Sequence, residues 1–131
     1  MSTMSEVHIT TFGFSRGAPP LDALVYDCRA LRNPHRPDRT GKTGLDEDVF
    51  NEVADHELFN DLVDHIVRQV GYRAFGENKQ LIKIAIGCTM GRHRSVAVAF
   101  RVATILQYRF DMKVLTQHRD MNRDNVVCDT V

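Results

Sequence analysis

A single-domain α/β fold, in two or three layers around a mainly parallel sheet of about four strands, is predicted by three features of the sequence. Segments rich in β-branched and aromatic residues alternate with amphipathic ones in the order strand, strand, helix, strand, helix, strand. One apolar run, "QLIKIAIGC" at 80–88, leads through a glycine turn straight into a second apolar stretch of helical length. The 131 residues are about one domain long, enough to bury one sizeable core.

The first strand is expected at 8–14, "HITTFGF", closed by the Gly- and Pro-bearing turn "SRGAPP". A second, "ALVYDCR" at 23–29, ends on Asp27 and Arg29, polar side chains delivered to the mouth of a loop. That loop, 30–44, holds Pro34, Pro37, Gly41 and Gly44 and no periodicity, and long loops of this kind are usually functional or disordered. From Leu45 one helix is expected, with an apolar stripe of Leu58, Phe59, Leu62, Val63, Ile66 and Val70 and a stop at Gly71 or Gly76. The run at 80–88 reads as a strand buried on both faces of the sheet. The helix after it, Arg92 to Tyr108, is apolar on most sides and must pack against the sheet along most of its length. A last strand is expected at 112–120, "MKVLTQHRD". The core then spans about 7–120, with a tail from 121 to 131 and no repeat or linker.

Composition excludes several classes of function. With 43% hydrophobic and 26% charged residues the chain reads as a soluble globular protein, and its longest apolar run falls far short of the ~20 residues that span a bilayer. "MSTMSEVHITT" has neither a basic start nor an apolar segment behind it, so a cytoplasmic location is expected. Cys28, Cys88 and Cys128 are odd in number, widely spaced and without a CxxC pair, which predicts free thiols rather than a disulfide framework or zinc site. Nothing in the sequence implies a metal or a cofactor. Net charge is zero, but residues 29–42 carry Arg29, Arg32, Arg36, Arg39 and Lys42 against Asp38 alone. Residues 46–64 carry eight acids and no Lys or Arg, so a dipolar surface is expected, its acidic stretch a solvated helix face.

The chemistry concentrates in "IGCTMGRHRS", 86–95. In an α/β sheet ligands bind beyond the carboxyl ends of the strands, and a loop entering a helix presents unpaired N–H groups and the positive end of the helix dipole. That geometry suits an anion. Gly91 lets the backbone curl close to it, and Arg94 and Arg92 are able to add bidentate bonds that a lysine cannot match. Phosphate recognition is the chemistry that fits. A different class is open at the same residues: Cys88 and Arg94 form C-x5-R followed by Ser95, the pattern of cysteine-dependent tyrosine phosphatases, where a low-pKa thiolate attacks phosphorus. The general acid of such an enzyme would come from Asp27, Asp38 or Asp120, with no motif to choose among them.

Taken together, "FGFSRGAP" (12–19), "LVYDCRALRNPH" (24–35), "KTGLD" (42–46), "IAIGCTMGRHRSVAVA" (84–99) and "QHRD" (117–120) resemble the C-terminal domain of the RNase adapter family RapZ, in its order and spacing. The resemblance covers nearly the whole chain; full-length members carry an N-terminal P-loop kinase-like domain, no G-x-x-x-x-G-K-[ST] occurs here, and the second domain alone is expected. It implies a fold related to part of a sugar-phosphate kinase, a pocket for an amino-sugar phosphate such as glucosamine 6-phosphate, contact with small RNA, and a homodimer or higher homo-oligomer. The family's pocket motifs fall on Asp27, Arg29, Asn33, His35, Thr43, Gly44, Thr89, Gly91, His93, Arg94 and Ser95. Thr89, His93, Arg94 and Ser95 would hold the phosphate and His35 would close over it, with Asp27 meeting a sugar amine or hydroxyl or holding Arg29 or His35. RNA contact would fall to Arg36, Arg39, Lys42 and Arg119. Met90 replaces the family's second glycine, and the tail "MNRDNVVCDTV" lacks the basic cluster of RNA-binding members.

Overall fold

The computed structural model describes residues 5–34 and 36–122. Four strands, β1 (Glu6–Gly13), β2 (Leu24–Asp27), β3 (Leu81–Cys88) and β4 (Lys113–His118), form one sheet in the order β2-β3-β1-β4, parallel throughout. The α/β reading and the strand count hold. Helices α1 (Glu47–Ala54) and α2 (Phe59–Gly71) carry the chain from β2 to β3, and α3 (Arg94–Phe110) carries it from β3 to β4. In place of the one helix expected from Leu45 there are two, because residues 55–58 break the hydrogen-bonded spiral before Phe59 restarts it. Of the two proposed stops the second is the one used: the backbone stays helical through Gly71 and widens into a turn, Tyr72–Gly76, that ends at the second glycine.

The sheet's two faces differ. Val7 and Ile9 of β1 and Ile82, Ile84 and Ile86 of β3 point toward the helices, where Val63, Ile66 and Val70 of α2 and Val98, Val102 and Leu106 of α3 complete one core. On the opposite face His8, Thr10, Lys83, Leu115 and Gln117 line an open groove of about 350 Å³ with Leu21 above it. The strand at 80–88 is therefore not covered on both faces along its length. Leu81 and Lys83 are exposed, and burial becomes continuous only from Ile84 onward. The cover at that end is aromatic: Phe12 and Phe14 meet edge to face at 4.8 Å over Gly87, with Arg119 stacked on Phe12 and Arg29 on Phe14. The helices thus lie on one side, which settles a two-layer arrangement.

The dipolar surface expected from the charge pattern is partly neutralised. Loop 30–44 lies along α1, so Arg36 and Arg39 pair with Glu52 at 2.6 and 2.9 Å and Lys42 pairs with Asp48 at 2.7 Å. Arg39 is buried and also donates to the Pro34 carbonyl. A basic loop and an acidic helix, separate in sequence, hold each other in place.

Candidate functional site

The carboxyl ends of β1, β2 and β3 converge at the turn 88–95. Gly91, at φ +76°, brings the turn against β1: a Cβ there would lie 2.5 Å from the Gly13 nitrogen, and one on Gly13 would lie 2.4 Å from the Met90 carbonyl carbon. Two backbones touch because neither carries a side chain at the contact. Ser15 fastens the turn from outside, its N–H and its hydroxyl both donating to the Thr89 carbonyl, at 3.1 and 2.7 Å. Asp120, buried just past β4, accepts the Gly13 N–H at 2.8 Å and pairs with Arg119 at 3.0 Å. Its carboxylate is committed to this scaffold.

Both arginines of the turn point inward. Arg94 donates to the carbonyls of Arg29 and Leu31 and to Thr89 Oγ1, at 2.8, 3.3 and 3.2 Å. Arg92 donates to the carbonyls of Lys42 and Met121 at 3.0 and 2.6 Å, and His93 Nε2 donates to the same Lys42 carbonyl at 2.9 Å. Gly44 closes the contact: its N–H donates to the Arg92 carbonyl, and a Cβ would meet the His93 oxygen at 2.3 Å. The turn and the 29–44 loop are thus one body, stitched by guanidinium groups on neutral oxygens.

The remaining predicted residues fall around this body. Asp27 binds Arg29 with both oxygens, at 2.7 to 3.1 Å, and the guanidinium beside it holds its carboxyl below the usual range. Of the roles open to Asp27, holding Arg29 is the one seen. Arg29 is half exposed and lies 4.1 Å over the Phe14 ring. Thr43 is occupied locally, its N–H donating to Asp46 and its hydroxyl accepting the Leu45 N–H. Thr89 and Asn33 are exposed at the rim. His35 lies outside the described residues. Phe14, Ser15, Gly13 and Asp120 join the site without a binding role foreseen for them; the first three sit in "FGFSRGAP", whose Gly-Phe-Ser order is the available signal.

Cys88 occupies the floor of the turn, buried. Its sulfur lies 3.3 Å from Ser95 Oγ and accepts the Ser95 N–H at 3.4 Å. The Cys28 thiol, with those Ser95 contacts and the Gly91 N–H, pulls the Cys88 thiol down to about 4, against the opposing effect of burial. Burial and the neighbouring Cys88 push Cys28 the other way, so Cys28 keeps its proton and Cys88 gives its own up. A group whose folded value is depressed contributes stability that is fully present above its unfolded value and is lost as pH falls through the folded one. A Cys88 thiolate is expected at neutral pH, read by its ultraviolet absorbance, disappearing with a midpoint near pH 4 and absent in Cys88→Ser. A midpoint near the ordinary thiol value would overturn the assignment.

The sequence pattern of the RapZ C-terminal domain matches residues 5–122. The chain belongs to the RapZ C-terminal domain family. A "nucleotide-binding protein" of Corynebacterium aurimucosum is 39% identical over 127 residues, covering 92% of this chain. This RapZ C-terminal domain spans 43% of that relative's length. Among its described residues no helix is long and apolar enough to cross a membrane. Cys28 and Cys88 are free thiols, as the cysteine spacing predicts, and Cys128 lies outside the described residues.

Proposed function

We propose that this domain is a non-catalytic regulatory module of adapter type, working in the cytoplasm, that binds a phosphorylated small molecule at the 88–95 turn. An amino-sugar phosphate of the glucosamine 6-phosphate kind is the ligand class. The observation that carries the reading is Arg94: a buried cation at the start of a 17-residue helix whose hydrogen-bond partners here are neutral oxygens, two carbonyls and Thr89 Oγ1. A buried cation with no carboxylate on it among the described residues favours an anion nearby. The helix end adds only ~0.3 to 2 kcal/mol, so the arginine, the exposed Thr89 hydroxyl and Arg29 supply the rest.

The relative named as a nucleotide-binding protein supports the same chemistry, since a nucleotide and a sugar phosphate share the group this turn would hold. RNA contact receives less support. Arg36, Arg39 and Lys42 are paired with Glu52 and Asp48, and Arg119 with Asp120, so each would have to exchange a carboxylate for a phosphate. Self-association into a homodimer or higher oligomer completes the proposal.

The depressed Cys88 thiol also favours a second reading, a cysteine-dependent phosphatase using Cys88 and Arg94. One experiment separates the two: phosphorus NMR of glucosamine 6-phosphate with the purified protein. A shifted or broadened ester line without inorganic phosphate supports the binding module. Steady release of inorganic phosphate, abolished in Cys88→Ser, would establish the hydrolase instead. An unperturbed ester line would remove this ligand class.

A further inference from the structure

The ladder between β2 and β3 continues one step beyond its last registered pair. Asp27 stands opposite Gly87, and the Cys28 N–H donates to the Gly87 carbonyl at 2.8 Å, which sets Cys28 opposite Cys88. Alternation places both side chains on the helix side of the sheet, in line with the registered pairs Leu24 with Ile84 and Tyr26 with Ile86. Adjacent strands run about 4.8 Å apart, inside the ~4.4 to 6.8 Å Cα separation that a disulfide spans. The Cys28 thiol donates to the Gly87 carbonyl at 3.1 Å, each thiol acts on the other's ionisation, and the two are buried together at 0% and 2% exposure. Nothing in the phosphate-binding proposal requires a second cysteine at position 28.

We propose that Cys28 and Cys88 form a peroxide-sensitive pair, Cys88 the sulfur oxidised first and Cys28 the resolving thiol, closing a reversible disulfide across the ends of β2 and β3. In the first step the Cys88 sulfur attacks hydrogen peroxide. An S–O bond forms, the O–O bond breaks, sulfur loses two electrons, and the departing oxygen leaves as water after taking a proton. In the second, the Cys28 sulfur attacks Cys88, the S–O bond breaks, and the sulfenic oxygen leaves as water with the Cys28 proton. Overall two thiols and one peroxide give one disulfide and two waters. The small oxidant suits a pair too enclosed for bulky reagents.

The consequence for the ligand rests on the phosphate-binding reading. Reduced, the pair keeps a negative sulfur under the turn, accepting the Gly91 and Ser95 N–H groups. Oxidised, it carries no charge and releases those donors. Phosphate affinity is expected to rise at least about tenfold, since one like-charge repulsion is removed.

The test uses the wild-type chain, reduced, freed of reductant and treated with hydrogen peroxide, then alkylated under denaturing conditions and mapped by mass spectrometry. The expected result is loss of two hydrogens, a linked peptide pair containing Cys28 and Cys88, and reversal by dithiothreitol. In Cys28→Ala a sulfenic acid on Cys88 should be trapped by a dione probe present as the oxidised chain is denatured. Thiols that survive excess peroxide, linkage through Cys128, or overoxidation of Cys88 with no linkage overturns the pair. Inorganic phosphate, titrated into both redox forms by phosphorus NMR, reads the coupling separately. A disulfide with equal phosphate affinity in both forms overturns the coupling, and a disulfide with no phosphate bound in either form overturns the phosphate reading while the redox pair stands.

Discussion

Replacing Gly91 by alanine is expected to cost about 3 kcal/mol of folding stability and to abolish phosphate binding. Two effects add. At φ +76° the backbone is left-handed, which costs an L residue ~1 to 2 kcal/mol. The new Cβ would also stand 2.5 Å from the Gly13 nitrogen and 2.6 Å from the Phe12 carbonyl carbon. Those atoms belong to β1, which is hydrogen-bonded to β3 on one side and β4 on the other, so they cannot retreat without breaking the sheet. The turn must move instead, and the Gly91 N–H moves with it. Gly41 is the control. It has a similar φ, +88°, but a methyl group there would meet nothing within 4 Å, so Gly41→Ala should lose only the backbone component, ~1 kcal/mol. Urea denaturation of both variants measures the difference; equal losses would show that the contact with β1 carries no energy.

Gly91 is readable in the sequence because a glycine between an apolar strand and an apolar helix has few other reasons to be there. The same reasoning finds β3, α3 and the turn between them, since their patterning is local. The break between α1 and α2 is not readable: residues 55–58 hold neither proline nor glycine. Nor is the bare face of the sheet, because an apolar strand end looks the same whether helices or a few aromatic rings cover it. Here Phe12 and Phe14 do so. The arginines show the limit most clearly. Residue type dictates positive charge at 92 and 94, but where each guanidinium points depends on loop carbonyls about fifty to sixty-five positions earlier in the chain. By sequence Asp120 is a candidate acid for catalysis, and only the fold shows it bound to the Gly13 N–H.

Arg94→Ala should lower stability by about 2 to 3 kcal/mol, because it strands the buried carbonyl of Leu31 and the part-buried one of Arg29, and an unsatisfied buried group costs ~1 to 3 kcal/mol before water enters. Arg94→Lys should recover only part of that loss, since one ammonium cannot follow the planar fork that reaches loop 29–31 and Thr89 together. Stability alone would not distinguish a structural arginine from one that also binds the ligand. The distinction comes from thermal denaturation with and without glucosamine 6-phosphate. A ligand that binds only the folded chain raises stability in proportion to the logarithm of its concentration over Kd. The wild type should gain with added ligand, and Arg94→Ala should show no gain at temperatures where it is fully folded. If the variant is destabilised yet gains as much as the wild type, Arg94 is a strut for the loop and the anion is held by the backbone of the turn and Arg29. If it loses both, the same guanidinium joins the two segments and attracts the phosphate, which explains why a buried cation sits at this helix end without a carboxylate partner among the described residues.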